Sequence, residues 1–364
     1  MASELDRRAF LRRTGAGAMG LGLVLGGGAF LAACGDDDDD TETGAGGNTQ
    51  GSGFGTLVYQ LSWVKNAEFA GQYIADQNGY YKEGGFSKVS FVAGGPGVQQ
   101  EQVVAGGKAL VGISAPDLTG SAINKGLPLI AIAALFQKNP FSVVSLASNP
   151  ITDPESMKGK KIGVQDVNLP VWNAFTKANG IKEGDVTVVP VQFDPQGLVN
   201  GEAEGWFSFT TNEPNALRAE GVDVAEFLLA DHGYPLVSQI VFTKTDTLTN
   251  ERDKLKALLL ADVKGWRESL KDPKKGADLA VDVYGKDLGL TKEAAETESE
   301  TQNSLILTED TKANGIMTVS DELMEETIQS LAYGDIEITA DKLFDLSILE
   351  EIYEENPDLK TSPV

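Results

Sequence analysis

The feature that most constrains the fold is an alternation, between residues 56 and 243, of short β-branched runs with glycine-punctuated helical segments. Alternation of this kind predicts parallel-rich sheets flanked by helices, because each helix returns the chain to the start of the next strand. The predicted strands cover residues 56–61, 88–92, 109–114, 129–136, 143–147, 161–165, 186–191, 205–210, 226–229 and 240–243. We therefore predict an α/β fold.

The last third of the sequence has a different pattern. Helical periods fit residues 252–270, 276–284, 292–302, 321–333 and 340–352, with no convincing strand between them. Two α/β units followed by a helical C-terminal region predict two lobes, the second inserted in the first through crossings near 143–147 and 240–243. We assign 56–144 and 240–364 to lobe I and 145–239 to lobe II. Two tandem domains are the alternative, although no Pro/Gly/Ser-rich linker divides this part of the chain.

The charge balance and the rare residues exclude several function classes. The sequence has 54 acidic and 30 basic side chains, a formal net charge of −24, one cysteine and one histidine. Binding to a phosphate backbone needs clustered Lys and Arg, so we expect no nucleic-acid partner. A single cysteine excludes an intramolecular disulfide, and a single histidine excludes a multi-histidine metal site. We expect neither a metal nor another cofactor.

Residues 1–33 have the pattern of an export signal. Arg7 and Arg8 form a twin-arginine pair ahead of the apolar run 16–33. The run ends in Leu-Ala-Ala-Cys-Gly, which resembles the lipobox of bacterial lipoproteins, so we predict lipidation of Cys34. The expected product is an extracytoplasmic lipoprotein, exported by the twin-arginine route and held at the cell membrane by its lipid. An uncleaved anchor and a plain exported protein are the alternatives, and the acidic, Gly-rich residues 34–55 predict a disordered linker.

Candidate ligand contacts lie near the predicted strand ends and helix starts, where α/β folds collect free backbone N–H groups. Ring stacking on a flat heteroaromatic ligand contributes roughly 0.5–1.5 kcal/mol per pair. The aromatic candidates, each with a place in the core as its alternative, are Trp63, Phe69, Tyr73, Trp172, Trp206 and Phe209. The polar candidates Asn212 and Glu213 belong to a Thr-Asn-Glu-Pro turn. For Glu213 the alternative is a favourable interaction with the helix dipole.

Several segments, taken in order, resemble a known family. They are Leu-Ser-Trp-Val-Lys-Asn-Ala-Glu-Phe from 61, Val-Gly-Ile-Ser from 111, Lys-Gly-Lys-Lys-Ile-Gly-Val from 158, Thr-Asn-Glu-Pro from 211 and Ala-Asp-His-Gly-Tyr from 230. These segments are similar to solute-binding proteins of ABC importers in the thiamine-pyrimidine-synthase-like family. The resemblance implies a type II periplasmic-binding-protein fold whose lobes close over a small molecule, with an ABC permease as membrane partner. We expect a monomer.

The resemblance also implies a set of ligand contacts by position. They are Trp63, Asn66, Phe69, Phe209 and Glu213. Family members that bind pyrimidine precursors of thiamine often have Pro and His where this sequence has Lys65 and Phe69. We therefore predict capture of a small heteroaromatic nutrient, with a thiamine pyrimidine precursor and a flavin-like ring both open.

Two other functions are weighed against this reading. A binder of aliphatic sulfonate, taurine or nitrate would need a cluster of Arg or Lys at its site. A pyrimidine-synthase-like enzyme is disfavoured, because Cys34 is assigned to lipid and His232 has no partner histidine. We expect a binding protein and no catalytic residues.

Overall fold

The computed structural model describes residues 53–95, 97–192 and 194–364. The predicted export signal, the lipidation site Cys34 and most of the predicted linker lie outside the described residues. The first strand begins at Gly55, the last residue of the predicted linker, and Gly55 pairs with Phe86. Phe54 also packs on Phe86, with ring centroids 5.4 Å apart. The folded part therefore begins slightly earlier than the linker prediction placed it.

Ten strands form two five-stranded sheets. The strands of the first sheet are β1 (Gly55–Gln60), β2 (Phe86–Val92), β3 (Val111–Ser114), β4 (Leu129–Phe136) and β10 (Ser238–Lys244). The strands of the second sheet are β5 (Phe141–Leu146), β6 (Lys161–Gln165), β7 (Thr187–Val191), β8 (Gly205–Phe209) and β9 (Val224–Leu228). Each of them overlaps a strand predicted from the sequence.

Both sheets have one central strand that opposes the others. The first sheet has the order β2-β1-β3-β10-β4 and the second has the order β7-β6-β8-β5-β9. In the first sheet only β10 is antiparallel to its neighbours, and in the second only β5 is. These are the two strands that the chain enters on passing from one sheet to the other. The α/β class with parallel-rich sheets is confirmed.

The chain crosses between the sheets at residues 137–140 and 232–237. The crossings were predicted near 143–147 and 240–243, where the structure has the strands β5 and β10, so the chain passes between the sheets a few residues before each predicted position. The predicted lobe boundaries after residues 144 and 239 therefore cut two strands that each lie wholly in one sheet. Asn139 joins the two crossings, since its Nδ2 donates to the carbonyl of Tyr234 over 2.9 Å.

Helices cover both sheets and make up the C-terminal region. They are α1 (Ala70–Gln77), α2 (Tyr80–Glu83), α3 (Gln100–Ala105), α4 (Pro116–Asn124), α5 (Leu169–Ala178), α6 (Gln196–Val199), α7 (Glu213–Ala219), α8 (Thr245–Asn250), α9 (Arg252–Lys271), α10 (Pro273–Leu279), α11 (Lys292–Ile306), α12 (Glu309–Asn314), α13 (Asp321–Tyr333), α14 (Ala340–Leu343) and α15 (Ser347–Glu355). Among the described residues no strand follows β10. None of the helices described is both long and apolar enough to cross a membrane.

Close packing of α9 on α1 fixes the segment that follows β1. A Cβ on Gly265 would lie 2.1 Å from the carbonyl oxygen of Gly71, and one on Gly71 would lie 2.3 Å from the ring of Trp266. Only glycine permits this approach of the two backbones. Trp266 is fully buried, which places it in the core. The N-terminal end of α1, and with it the loop after β1, is thereby held against the C-terminal helices.

Candidate functional site

The segment that follows β1, residues 61–69, is called the first edge. It runs through a turn and a 3-10 turn (Ala67–Phe69) into α1. Trp63 is half-buried against the core of the first sheet, and its carbonyl accepts from the N–H of Gly94 over 2.8 Å. A Cβ on Gly285 would lie 2.3 Å from the carbonyl oxygen of Lys65. The first edge therefore rests directly on the C-terminal helical region.

Asn66 lies in a group of buried polar side chains. Its Nδ2 donates to Oε1 of Glu298, on α11, over 2.6 Å. The pKa of Glu298 is raised to about 8. Burial is the largest cause and the charge of Glu68 adds to it, while the backbone N–H groups of Ala67 and Glu68 oppose the shift. Burial also raises the pKa of Glu68 to about 7. Burial is thus the main cause of both raised pKa values, because it disfavours the charged form of each carboxyl group.

The remaining neighbours of Glu68 come from two strands of the first sheet. Ser62, just after β1, lies 3.5 Å from Oε1 of Glu68, and Nε2 of Gln239, in β10, donates to the same oxygen. Gln239 has a φ of 51°, a left-handed conformation that is uncommon for a residue with a side chain. Because β10 opposes β1, its first residues lie at the same end of the sheet as the residues that follow β1. The side chain of Gln239 thus meets Glu68 at this end.

Phe69 and Tyr73 are fully buried in the core of the first sheet. Their rings meet edge to face at 6.4 Å, and Tyr73 stacks on Tyr284 with centroids 4.1 Å apart and planes 9° apart. The hydroxyl of Tyr284 donates to Asp76 over 2.6 Å, whereas the hydroxyl of Tyr73 has no partner among the described residues. Neither predicted contact exposes surface in this structure, so their ligand-binding role stays a prediction.

The segment that follows β8, residues 209–215, is called the second edge. Oε2 of Glu213 accepts from the backbone N–H of Phe209 over 2.8 Å, which closes the turn between β8 and α7. Glu213 is buried, and burial raises its pKa to about 7. Asn212 precedes α7 and is exposed, without a side-chain hydrogen bond to the helix. Glu213 therefore has a local structural contact in addition to its predicted role.

Four rings on one face of the second sheet form an aromatic group. Phe141 packs edge to face on Phe209 at 5.1 Å and stacks on Phe207 at 5.1 Å. Trp172, on α5, meets Phe207 edge to face at 5.7 Å. The structure therefore connects the predicted contacts Trp172 and Phe209 through two rings that the sequence did not single out.

Trp206 is separated from this group. Side chains alternate along β8, so Trp206 and Phe207 lie on opposite faces of the sheet. Trp206 is 2% exposed and packs in a small separate core with Leu198 and Leu217. A Cβ on Gly163 would lie 2.8 Å from its ring, so the neighbouring strand is shaped around the indole. The structure does not bring Trp206 together with the other candidates.

Helix α11 connects the two edges. Glu298 contacts Asn66 of the first edge, and one turn later Oγ1 of Thr301 accepts from Nδ2 of Asn215 in the second edge over 3.0 Å. Residues three apart on a helix lie on the same face. The first and second edges are thus within one helical turn of each other along α11.

Sequence reasoning missed Glu68, Glu298 and Thr301 as site residues. A usable signal was the spacing of Ala295, Ser299 and Gln302, which are buried on the same face as Glu298. The burial of polar residues at helical spacing indicates a polar contact surface, which the usual search for an apolar stripe overlooks.

Two depressions on the described surface lie apart from these edges. One is lined by Phe54 and residues 249–254, and the other by Gly97, Gln99, Gln102, Val103 and Lys108. Neither is lined by a predicted contact residue. The edges approach each other closely in this structure, so the candidate site is defined by the residues at the strand ends and by their hydrogen bonds.

The fold is that of the periplasmic binding proteins. The structure is similar to that of the periplasmic aliphatic sulphonate binding protein SsuA from Escherichia coli, with a TM-score of 0.59, 13% identity and coverage of 84% of this chain and 89% of the other. At that identity the similarity defines the fold and leaves the ligand open. The family follows from the sequence: a model described as "NMT1/THI5 like" matches residues 66–276, and the chain belongs to that family.

The curated relatives include proteins named as binding proteins and proteins named as synthases. A formylaminopyrimidine-binding protein of Halalkalibacterium halodurans is 26% identical over 60% of this chain and 67% of its own length. A riboflavin-binding protein, RibY, of Chloroflexus aurantiacus is 24% identical over 62% of this chain, and the match spans only 65% of that relative's length. A 4-amino-5-hydroxymethyl-2-methylpyrimidine phosphate synthase of Saccharomyces cerevisiae is 30% identical over a shorter stretch, 36% of this chain and 39% of its own.

Proposed function

We propose that this chain is the extracytoplasmic solute-binding component of an ABC importer and that it captures a small heteroaromatic nutrient. The family and the fold support the class of protein. The names of the two bacterial relatives support a ring-shaped ligand, either a pyrimidine or a flavin. No catalytic residue is part of the proposal.

The observation that carries the proposal is the chemistry of the two edges. Together they contain aromatic rings, amides and carboxyl groups but only one basic residue, Lys65. An anion such as a sulfonate is held by Arg or Lys through charge-assisted hydrogen bonds. A planar ring instead needs flat apolar faces and a few polar groups to orient it. This composition favours a heteroaromatic ligand over a sulfonate, taurine or nitrate.

The proposed mechanism is closure of two lobes, one built on each sheet, about the crossings at 137–140 and 232–237. A ligand shifts such an equilibrium only if it binds the closed form more tightly. The proposed contacts meet this condition because Trp63 and Asn66 belong to the first edge, whereas Phe209 and Glu213 belong to the second. A closed lobe pair around the ring is the form that would deliver it to the permease.

The cellular setting is part of the proposal. Export by the twin-arginine route and lipidation of Cys34 would place a monomer at the outer face of the cell membrane, beside its permease. The net charge of −24 would repel anionic headgroups, so the acyl chains would supply the attachment. The lipid and the export route rest on the sequence pattern alone.

The synthase relative raises the enzyme alternative, and the chain's own residues argue against it. His232 is the single histidine of the sequence, and its ring packs on Phe227 with centroids 5.0 Å apart. It lies in the second crossing, outside the residue ranges of both edges. Turnover of a pyrimidine product by the purified chain would favour the alternative.

The direct test is calorimetric titration of the full chain, purified in detergent, with 4-amino-5-hydroxymethyl-2-methylpyrimidine, riboflavin and an alkanesulfonate. We expect at least one heterocycle to bind and the sulfonate to remain silent. Glu213→Gln should weaken heterocycle binding by about tenfold, the effect of one hydrogen bond to a charged group.

Glu183→Gln provides a matched control, because Glu183 is exposed and the change in charge is identical. It should leave the affinity unchanged. Binding of the sulfonate alone, with Trp63→Ala having no effect on it, would contradict the proposal.

A further inference from the structure

We infer that Glu68 and Glu298 form a paired-carboxyl subsite that selects a ligand carrying an amino or amidine group over one that lacks ring-bound N–H donors. This inference rests on the proposed function and names the group on the ligand that the first edge reads. Glu298 lies outside the segment matched by the family model, residues 66–276, whereas Glu68 lies within it.

The first step is the geometry of the pair. Asn66 connects Glu298 to the segment that carries Glu68, since its Nδ2 donates to Oε1 of Glu298 over 2.6 Å and Glu68 follows Asn66 by two residues. Glu298 is buried, whereas Glu68 keeps part of its surface exposed. One carboxyl group is therefore fixed in the protein, and the other is accessible at the edge of the sheet.

The second step is a surplus of acceptors. Asn66 is 7% exposed, and its Oδ1, on the same amide that contacts Glu298, has no hydrogen-bond partner among the described residues. The Oε1 of Gln302, one turn after Glu298 on α11, is likewise buried without a partner. No lysine or arginine is among the groups that set the pKa of either carboxyl group. Buried acceptors without donors are costly, so this site is incomplete without a donor from outside.

The third step is the chemistry that completes it. An amino group beside a ring nitrogen, or an amidine, presents N–H donors in one plane and readily carries positive charge. Such a group would donate to both carboxyl groups and, when it carries a positive charge, form charge-assisted hydrogen bonds with them. A carbonyl or hydroxyl at the same ring position offers an acceptor or one donor, and a sulfonate offers acceptors only. The pair therefore distinguishes ligands by the number of hydrogen-bond donors at this ring position.

The experiment compares two ligands that differ only in this group: 4-amino-5-hydroxymethyl-2-methylpyrimidine and its analogue with a hydroxyl in place of the ring amino group. Affinities are measured by calorimetry on the full chain in detergent. We expect the wild-type chain to prefer the amino compound by at least about tenfold. Glu68→Gln and Glu298→Gln should each reduce that preference to less than about threefold.

The controls separate selectivity from folding. Glu300→Gln makes the same substitution at an exposed position on α11 and should preserve the preference. Glu68→Gln alters the partly exposed carboxyl group of the pair, so the ligand preference can still be measured in this variant if Glu298→Gln unfolds the chain. Equal affinity for the two ligands in the wild type, or a preference that both variants retain, would overturn the inference.

A riboflavin arm distinguishes the two proposals. If riboflavin binds, the amino compound does not, and both variants bind riboflavin as the wild type does, then the paired-carboxyl subsite is wrong and the heteroaromatic function stands. If no heterocycle binds the wild type, both proposals fall together.

Discussion

The two edges of the candidate site are held in place by different means. In the second edge the contacts are local: Glu213 bonds to the backbone of Phe209, four residues earlier. In the first edge they span the chain, since the partner of Asn66 is Glu298, 232 residues later. Phe209 of the second edge also joins the aromatic group of the second sheet, whereas the first edge presents carboxyl groups and amides. A ligand held between them would meet a flat apolar side and an acceptor-rich side.

A similar contrast separates the aromatic residues of β8. In the second sheet, Phe207 and Phe209 share the face that carries the aromatic group, and Trp206 occupies the opposite face. Sequence position alone does not distinguish them, because all three residues lie at the end of the same strand. Burial distinguishes Trp206 from Phe209, since Trp206 is 2% exposed and Phe209 is half-buried.

The largest expected effect follows from this difference. Trp206→Ala should reduce the free energy of unfolding by about 3–5 kcal/mol, because it leaves a cavity in a packed core. Chemical denaturation measures the loss. The affinity of the folded variant for the heterocycle that the wild type binds should stay within about threefold of the wild type.

Phe209→Ala provides the contrast within the same strand. Its ring is partly exposed, so we expect a smaller loss of stability and a larger loss of affinity than for Trp206→Ala. The reverse ranking would restore Trp206 as a ligand contact and place Phe209 in the core.

Features of the fold and the site were predictable from the sequence when neighbouring residues determine them, and not when they depend on residues far apart in the sequence. Strand β4 was predicted at both ends, because an unbroken apolar run marks a strand within its own residues. The crossings were misplaced because β5 and β10 have the same apolar pattern as their neighbours, and only pairing shows which sheet each one enters. The Asn66–Glu298 contact was invisible for the same reason, since nothing local in α11 marks its partner.

The next largest expected effect is the pH dependence of stability. The buried carboxyl groups responsible for it are distributed unevenly between the two sheets. Of the buried carboxyl groups with pKa raised to about 7 or 8, Glu68, Asp262 and Glu298 lie with the first sheet, and only Glu213 lies with the second. A group with a raised folded pKa stabilises fully below its unfolded pKa, and that contribution is lost as pH rises through the folded value. Stability should therefore fall from about pH 5 to pH 8.

Asp262→Asn isolates one proton in the first-sheet core. Asp262 is fully buried, and its two oxygens accept from the hydroxyls of Tyr59, over 2.9 Å, and Tyr81. An amide oxygen can accept one of these bonds, and the amide nitrogen can donate to the oxygen of the other hydroxyl. The variant should flatten the decline in unfolding free energy between pH 5 and pH 7 by up to about 1.4 kcal/mol per pH unit, the equivalent of one proton. Urea denaturation across that range measures the slope. An unchanged slope would mean that Asp262 ionises in the folded chain as it does in the unfolded one.

The smallest effect tests the link between the edges. Thr301→Val removes the hydroxyl that accepts from Asn215 and also a bond from that hydroxyl to the carbonyl of Thr297 over 2.8 Å. If α11 joins the edges mainly in the closed form, ligand affinity should fall by about fivefold, corresponding to about 1 kcal/mol for one neutral hydrogen bond. The loss should appear as faster dissociation, because the closed form is the one that retains ligand.

The same helix supplies a control for the loss of a hydroxyl. Thr297→Val removes an equivalent bond within the helix, from Thr297 to the carbonyl of Glu293 over 3.0 Å, and leaves Asn215 bonded to Thr301. It should match Thr301→Val in unfolding free energy yet retain wild-type affinity. X-ray scattering of the ligand-free chain should show a larger radius of gyration for Thr301→Val only. If both variants have the same affinity and the same radius, the Asn215–Thr301 contact does not control closure, and the two edges respond to ligand independently.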